Sequence, residues 1–448
     1  MTLNAKAMRT DPGRRSARLL LLLLIALVEP GCDRSGPALP DRGRVLLVGL
    51  DAATFRVAAP LMEEGLLPNL ARIAQAGVHG PLQSFLPLHS PRIWNTVATG
   101  KVPEKHGILT FTNPRPDGSS ALYLSSDRKT HALWNITSDA GLATAVINWW
   151  TTFPPERIDG VMVSDHLFPA EIEKKRRLFN VSGASPTAPT THPASWEPRA
   201  HDLVRDRGSF SDLPNPLSAV TPFPERFGAG WEAEVFETDN AVTRIALAVE
   251  QELHPIVMMV FLSGIDRISH ILWGALEPPE AFSESFRPTP AERAAGLAAL
   301  RGYYAHADHL VGLLLDRYGP GDLVVVVSDH GFEASEAAIA RASAPILLTG
   351  GHESDAASRG VLFASGPGID RGATVEGTTV NDITPTILTW LGLPLGSDMD
   401  GKPAAFLERK PPPPIATHDR KPVDRLATES RGAEPELLDR LRALGYID

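Results

Sequence analysis

Cysteine is nearly absent from this sequence. The 448 residues contain a single one, Cys32, so no intramolecular disulfide can form. That excludes the small secreted folds that disulfides hold together. A chain of this length with 43% hydrophobic residues can instead bury one large core or two ordinary ones.

Positive charge is also scarce. Lys and Arg number 43 against 53 Asp and Glu, which gives a formal net charge of −10 at pH 7. Such an acidic protein is poorly suited to nonspecific binding of a nucleic-acid backbone, and we expect no nucleic-acid polymer among its partners. A small anionic substrate is still compatible with this charge if bound metal ions supply positive charge locally.

The N-terminal apolar run, Leu19–Val28, is too short to span a bilayer as a helix. It follows basic residues and fits the core of a secretory signal. Cys32 stands where bacterial lipoproteins carry their lipidated cysteine, although Glu29-Pro30-Gly31 replaces the usual small, mostly apolar triplet. We therefore expect a lipoprotein-type signal peptide at 1–31, a tether at 32–43, and an exported protein anchored on the periplasmic side of a membrane. The alternative is ordinary cleavage and a soluble secreted protein.

Apolar segments without polar alternation predict strands buried on both faces, which is the pattern of a parallel sheet. The predicted strands are 44–50, 78–85, 142–148, 256–262, 323–327 and 361–365. The expected fold is α/β, a large, mostly parallel central sheet with helices on both faces. We assign it to residues 44–408, with an insertion at about 166–226 that covers or flanks the site. Residues 409–448 are expected to be a polar tail with a short helix.

Helical periodicity predicts further elements between these strands. One helix is expected at 61–76 and a long one at 291–318. On the long helix, Tyr303 is expected in the core and Asp308 at the surface. No internal repeat is present.

Carboxylates and imidazoles follow several predicted strands. Four strand ends or adjacent loops supply them: Asp51, Asp266 with His270, Asp329 with His330, and His352. Because ligands bind beyond the carboxyl ends of strands in open α/β sheets, we expect these side chains to converge there. The alternative is that these residues have only structural roles. An Asp after a strand can cap a helix, and an Asp and a His four residues apart on a helix can form an ion pair.

Ser90 is followed by Pro91, which predicts a helix with Ser90 as N-cap and proline at the first helical position. Capping could be the whole role of Ser90. Alternatively, the positive end of the helix dipole would favour an alkoxide and an incoming phosphoryl group at the same hydroxyl.

Three carboxylates, three imidazoles and a hydroxyl make a mixed nitrogen and oxygen ligand set without thiolate. Such a set suits Zn²⁺, with Mn²⁺ as the alternative, and the histidines disfavour Mg²⁺ and Ca²⁺. The six carboxylates and imidazoles alone exceed what one tetrahedral ion needs, so we expect two divalent ions. Two metals about 4 Å apart can clamp the attacking and leaving oxygens of an in-line displacement at phosphorus.

The order and spacing of these residues resemble the alkaline phosphatase superfamily, closest to its type I phosphodiesterase/nucleotide pyrophosphatase branch. That family places an Asp after a strand, then a Ser or Thr ahead of a Thr-Gly-x-x-Pro-x-x-His-Gly-Ile run, then Asp-x-x-x-His, Asp-His-Gly and a late Gly-His. This sequence carries the motifs in the same order, over about residues 44–408: Asp51, Ser90, Thr99 to Ile108, Asp266 to His270, Asp329-His330-Gly331 and Gly351-His352.

The resemblance implies a role for each matching residue. One metal would be held by Asp51, Asp329, His330 and the Ser90 oxygen, and the other by Asp266, His270 and His352. Ser90 would attack phosphorus as a metal-bound alkoxide and form a phospho-serine intermediate, which water then hydrolyses. The family also binds a phosphate oxygen through an asparagine after the nucleophile helix, for which Asn113 is the nearest candidate.

Two departures from the family patterns bear on substrate. Serine replaces the threonine that is common in nucleotide pyrophosphatases. A formylglycine sulfatase needs proline two residues and arginine four residues after its nucleophile, where this sequence has Arg92 and Trp94, which argues against a sulfatase.

The resemblance predicts an exported hydrolase of small phosphoric esters, with a diester preferred over a monoester. The alternatives are a phosphomonoesterase, a transferase that passes the phospho group to an alcohol, and a pseudoenzyme that retains the fold as a binding surface.

Overall fold

The computed structural model describes residues 43–114, 119–179, 181, 187–206, 214–220, 231–282, 284, 287–334 and 350–426. All of these lie within one unit that comprises residues 41–448. The predicted signal peptide, Cys32, most of the tether and the predicted C-terminal helix lie outside the described residues. None of the described helices is both long and apolar enough to cross a membrane.

A ten-stranded mixed sheet forms the centre, in the order β13-β2-β12-β9-β1-β8-β5-β6-β7, with β14 paired to β2. The strands are β1 Val45–Leu50, β2 Val78–Gln83, β3 Thr112–Pro114, β4 Ser120–Leu122, β5 Thr144–Ile147, β6 Gly160–Val163, β7 Thr191–His192, β8 Val257–Leu262, β9 Leu323–Val327, β10 Glu333–Ala334, β11 Gly350–Gly351, β12 Arg359–Ser365, β13 Ala373–Thr374 and β14 Thr378–Thr379. The pairs β3–β4 and β10–β11 form two small separate sheets.

The middle of the large sheet is parallel. Strands β9, β1, β8, β5 and β6 run in one direction, so their carboxyl ends meet at one edge. Strand β12 is antiparallel to both β9 and β2, and β7 is antiparallel to β6 at the far side. The predicted mostly parallel sheet is therefore confirmed.

Eleven α-helices are found within the described residues. They are α1 Phe55–Glu63, α2 Pro68–Ala76, α3 Ser90–Thr99, α4 Pro103–His106, α5 Leu133–Asp139, α6 Pro169–Leu178, α7 Glu197–Arg205, α8 Trp231–Leu253, α9 Gly264–Leu272, α10 Pro290–Leu315 and α11 Ile383–Leu391.

Helices cover both faces of the sheet, as predicted. Alternate residues of β1 point to opposite faces, so Leu46 and Val48 join one buried cluster while Val45 and Leu47 join the other. The first cluster contains apolar residues of α1, α2, α8, α9 and α10. The second contains those of α3, α5 and α11. Together they bury every residue of β1, which explains its continuous apolar sequence.

Two expectations about helices are wrong. The single helix predicted at 61–76 is two helices, because Gly65 adopts a positive φ of 76° after α1 and Pro68 begins α2. Asp308 is buried and not at the surface. Its carboxylate accepts hydrogen bonds from Asn69 N at 3.1 Å and Leu70 N at 2.7 Å, and so caps α2 from the neighbouring helix α10. Tyr303 lies in the core as predicted.

The described part of the predicted insertion contributes α6, α7 and the edge strand β7. Helix α7 is held to α8 by an ion pair between Arg199 and Glu252, at 2.5 Å. Arg267 of α9 pairs with Glu171 of α6. This part of the chain therefore rests directly on the helices that flank β8.

Candidate active site

The three adjacent strands β9, β1 and β8 bring most of the predicted ligands together. Asp51 follows β1 directly, and Asp329 and His330 follow β9 after one serine. Helix α9 begins one residue after β8 and carries Asp266 and His270. Because these strands are parallel neighbours, their carboxyl ends deliver all five side chains to one place.

Asp51, Asp329 and His330 form the first group of candidate ligands, with donor atoms within 4.8 Å of one another. All three side chains are buried. Asp51 does not cap the helix that follows it, because Thr54 is the N-cap of α1 and its side chain accepts from Arg56 N. The capping alternative for Asp51 is therefore excluded.

Two backbone positions next to this first group have unusual conformational or packing requirements. Ala52 has a φ of 61°, which is left-handed and unfavourable for alanine, and its N–H donates to Asp329 Oδ1 at 3.3 Å. Glycine is required after His330, since a Cβ on Gly331 would lie 2.6 Å from the carbonyl oxygen of Arg359. The His330 Nδ1–H donates to the Gly331 carbonyl at 2.8 Å, which leaves Nε2 as the free lone pair.

Asp266, His330 and His352 form the second group, again with donor atoms within 4.8 Å. His270 lies at its edge, with Nε2 3.5 Å from Asp266 Oδ1 and Nδ1 3.3 Å from the Gly350 carbonyl. His352 follows β11, and its ring stacks on that of His330 at 4.2 Å. Thus His330 belongs to both groups.

Like charges are crowded at this position. Burial raises the pKa of Asp51 well above its ordinary value, and the neighbouring carboxylates of Asp329 and Asp266 raise it further. Burial also raises the pKa of Asp329. Burial, with His330 and His270 nearby, lowers the pKa of His352. A divalent cation would offset the repulsion between these carboxylates and lower their pKa values, and it would bind the imidazoles in their neutral form.

Three buried donor atoms here have no hydrogen-bond partner among the described residues: Asp266 Oδ1, Asp329 Oδ2 and His330 Nε2. Buried polar atoms are nearly always satisfied, so three such atoms in two overlapping groups require an explanation. Bound divalent metal ions supply one, and the oxygen and nitrogen donors without thiolate fit such ions.

Ser90 is the first residue of α3 and is 4% exposed. The prediction that it is the N-cap is wrong: His89 is the N-cap, Pro91 is the second helical residue, and no side chain caps this helix. The helix begins one residue early because His89 takes the extended conformation, with φ of −100° and ψ of 114°. Capping is therefore not the role of the Ser90 hydroxyl.

Trp94 links helix α3 to the first group of candidate ligands. It lies one helical turn after Ser90, and residues four apart share a face of a helix. Its Nε1–H donates to Asp51 Oδ1 at 3.4 Å, and its ring packs edge-on against Trp149 and Phe261. Sequence reasoning missed this residue, because an apolar tryptophan on a helix is expected to do no more than fill the core.

Half-buried aromatic side chains lie beside His89, the residue that precedes Ser90. Phe111 contacts His89, with ring centroids 5.4 Å apart, and stacks on Phe179 at 4.5 Å. Trp150 completes this aromatic surface, and the Lys175 ammonium sits 3.9 Å from its ring centroid. Phe179 and Lys175 come from the predicted insertion, which therefore contributes to the aromatic surface next to His89.

Asn113 and His106 each have hydrogen-bond partners of their own. Asn113 lies in β3, and its Nδ2 donates to Asp127 Oδ1 at 3.0 Å. His106 is buried, with Nε2 3.1 Å from Thr96 Oγ1, and its Nδ1 accepts from Ile108 N. Burial lowers the pKa of His106 to about 3. It is a packed, hydrogen-bonded residue of the turn.

The sequence model of the type I phosphodiesterase/nucleotide pyrophosphatase family matches residues 45–360. No curated protein matches the chain. Among solved structures, an inactive form of murine ectonucleotide pyrophosphatase/phosphodiesterase 5 in complex with AMP is similar with a TM-score of 0.46 and 14% identity, covering 78% of this chain and 95% of that one.

Two other solved structures are similar at the level of the fold. A 2-O GAG sulfatase has a TM-score of 0.51 and 13% identity, covering 83% of this chain and 75% of that one. A phosphonate monoester hydrolase from Silicibacter pomeroyi has a TM-score of 0.47 and 16% identity, covering 83% and 78%. At these identities the likeness concerns the α/β fold alone.

Proposed function

Because the chain belongs to the type I phosphodiesterase/nucleotide pyrophosphatase family of metal-dependent phosphoester hydrolases, we propose that it hydrolyses a small phosphodiester with Ser90 as nucleophile. The observation that carries this proposal is the convergence of three unpartnered buried atoms, Asp266 Oδ1, Asp329 Oδ2 and His330 Nε2, at the carboxyl edge of the sheet. A binding surface alone would gain nothing from burying unsatisfied ligand atoms.

Two divalent ions would be held by two sets of side chains: Asp51, Asp329 and His330 for one, and Asp266, His270 and His352 for the other. When bound, such ions neutralise charge on a phosphate and lower the pKa of a hydroxyl or water beside them. Zinc is the ion that this mixed ligand set favours, with Mn²⁺ as the alternative.

Ser90 would act from the N-terminus of α3, where free backbone N–H groups and the helix dipole favour the negative charge of a phosphoryl group. Its Oγ forms a bond to phosphorus as the bond between phosphorus and the leaving alcohol breaks, and that alcohol takes up a proton. Water then displaces Ser90 in a second substitution at phosphorus.

The aromatic surface supports a diester over a monoester. Phe111, Phe179 and Trp150 are half-buried beside His89, the residue that precedes Ser90. A second esterified group on phosphorus could pack against these rings, whereas a monoester has only one such group to bury.

We also propose that the protein is exported and held at a membrane through a lipid on Cys32. The support is the basic and apolar sequence that precedes this cysteine. A lipid anchor would place the enzyme beside membrane-associated esters.

The test is turnover of p-nitrophenyl phosphate, a p-nitrophenyl phosphodiester and p-nitrophenyl sulfate by the zinc-loaded protein and its Ser90→Ala variant. We expect diester turnover that falls by about 10³-fold or more in the variant. Ser84→Ala is the matched control, because Ser84 is another buried serine, in the connection between β2 and α3, and its loss should leave full activity.

Other outcomes would change the assignment. A preference for the monoester would indicate a phosphatase, and sulfate turnover would contradict the argument from Arg92 and Trp94. Two bound metals without hydrolysis, but with product when an alcohol is added, would indicate phospho transfer. If the protein binds no metal, the proposed function is wrong.

A further inference from the structure

We propose that Asp239 is a positioning residue for the metal site that contains Asp266 and His270. It acts by fixing the N-terminus of α9, the helix that carries both side chains. This inference rests on the proposed function, because it requires Asp266 and His270 to be metal ligands.

Asp239 caps α9 from a different helix. Its Oδ1 accepts from Ser263 N at 3.1 Å, and its Oδ2 accepts from Gly264 N at 3.1 Å. Ser263 is the N-cap residue of α9, but its side chain makes no capping hydrogen bond. The first N–H groups of the helix therefore depend on Asp239, which is 1% exposed and belongs to α8.

Tyr303 locks this carboxylate in place. Its hydroxyl donates to Asp239 Oδ2 at 3.0 Å from α10, and the tyrosine is fully buried. The fit leaves no room for a side chain at Gly264, where an added Cβ would lie 1.8 Å from the Tyr303 hydroxyl oxygen and 2.5 Å from Asp239 Oδ2. Helix α9 thus starts at a position defined by two other helices.

A second contact fixes the flank of the same helix. Arg267, next to Asp266, pairs with Glu171 of α6 and lies 3.3 Å from Glu234 of α8. With its N-terminus and its flank both held, α9 has little freedom to shift or rotate. Metal ligands need placement to within about 0.5 Å, so the hold on α9 controls how well Asp266 and His270 can meet one ion.

The chain contains a matched control for this role. Asp308 is also a buried carboxylate that caps a helix from another element, with Oδ1 accepting from Leu70 N and Oδ2 from Asn69 N. The helix it caps, α2, carries none of the candidate ligands. Loss of either cap should therefore cost similar stability, but only loss of Asp239 should disturb a metal site.

The experiment compares Asp239→Asn, Asp308→Asn and Tyr303→Phe with the wild type in the full chain. Zinc affinity at each site is measured by calorimetric titration of the metal-free proteins, and bound zinc by elemental analysis. We expect Asp239→Asn to lower the zinc affinity of one of the two sites by about 10-fold to 100-fold. This is the usual effect of changing a residue that supports a metal ligand without binding the metal itself. Excess zinc should then restore turnover. Asp308→Asn should retain both affinities.

Tyr303→Phe should give a smaller loss of zinc affinity at the same site. If Asp239→Asn does not fold, Tyr303→Phe provides the test. Unchanged zinc affinity in both Asp239→Asn and Tyr303→Phe would overturn the inference. Equal weakening in Asp239→Asn and Asp308→Asn would also overturn it, since the effect would then be general destabilisation. A wild-type protein that binds no zinc would instead refute the proposed function itself.

Discussion

The Nε2 atom of His330 lies 3.3 Å from Asp329 Oδ2 and 3.8 Å from Asp51 Oδ1. The same imidazole stacks on His352, which belongs to the other group of candidate ligands. One histidine therefore joins the two halves of the site. This arrangement distinguishes His330 from His270, which contacts only the second group.

We predict that His330→Ala weakens zinc binding at both positions: at the first because a ligand is lost, and at the second because His352 loses the ring on which it stacks. His270→Ala should weaken zinc binding only at the second position, which contains Asp266 and His352. Elemental analysis after dialysis should find fewer than one ion per chain in the first variant and about one in the second. Retention of two ions by His330→Ala would contradict the shared role of this residue.

Removing metal should destabilise the fold, because it leaves the carboxylates of Asp51 and Asp329 buried next to each other. At a zinc concentration 1,000-fold above the dissociation constant, each site should contribute about 4 kcal/mol to the free energy of unfolding. Calorimetry with a chelator, and again after zinc is restored, measures this difference. Magnesium should not replace zinc here, since imidazole ligands disfavour it. Equal melting temperatures with and without chelator would contradict the prediction.

The sequence was informative where one local signal fixes both the type of element and the position of a side chain. A buried strand is recognisable from its continuous apolar residues, and the polar residue that follows it must then lie at the carboxyl edge. Asp51 and Asp329 can be placed in this way from the order of residues alone. Asp266 and His270 can be placed because their spacing fits one turn of the helix that follows β8.

The positions that the sequence did not reveal depend on contacts between distant parts of the chain. Asp308 was expected at the surface, yet it caps a helix more than 200 residues away, and no local pattern records such a contact. For the same reason, the sequence does not predict the hydrogen bond from Trp94 to Asp51 or the capping of α9 by Asp239. The start of α3 was misplaced by one residue, because proline fits the second helical position as well as the first.

Membrane attachment through Cys32 is tested by expressing the complete chain in a Gram-negative host. We predict that the protein is recovered with the membranes and incorporates labelled palmitate, because a lipid at Cys32 would follow signal cleavage. Cys32→Ser should abolish labelling and move the protein to the soluble fraction, whereas the neighbouring Ser35→Ala should change neither. An unlabelled protein that is soluble without any substitution would favour ordinary secretion.

Glu156 should be important for stability away from the site. It is fully buried, pairs with the equally buried Arg128, and accepts from Trp134 Nε1 at 2.5 Å and Asn135 Nδ2 at 2.9 Å. Glu156→Gln would leave a buried guanidinium without a counter-charge, so we predict a loss of about 3–5 kcal/mol in the free energy of unfolding. Asp316→Asn breaks an exposed ion pair with Arg72 and should cost less than about 1 kcal/mol. Urea unfolding compares the two, and equal losses would contradict the prediction.

Two buried histidines should make the fold sensitive to acid. Burial lowers the pKa of His106 to about 3, with Arg128 and Arg92 adding to the effect, and burial lowers the pKa of His306 to about 3 as well. In the unfolded chain each imidazole has a pKa of about 6.5. Between these values the unfolded chain binds more protons than the folded one, so the free energy of unfolding must fall as the pH is lowered from 6.5 towards 3.

Each histidine should contribute about 1.4 kcal/mol per pH unit to this slope. His106→Gln retains a donor for Thr96 but cannot titrate, and His306→Leu retains apolar packing against Phe236. Urea unfolding between pH 4 and 6 gives the free energy of unfolding as a function of pH. Its slope should fall by the equivalent of about one bound proton in each single variant and about two in the double variant. A slope that stays the same in both single variants would mean that these imidazoles become protonated without unfolding, and that burial does not hold them neutral.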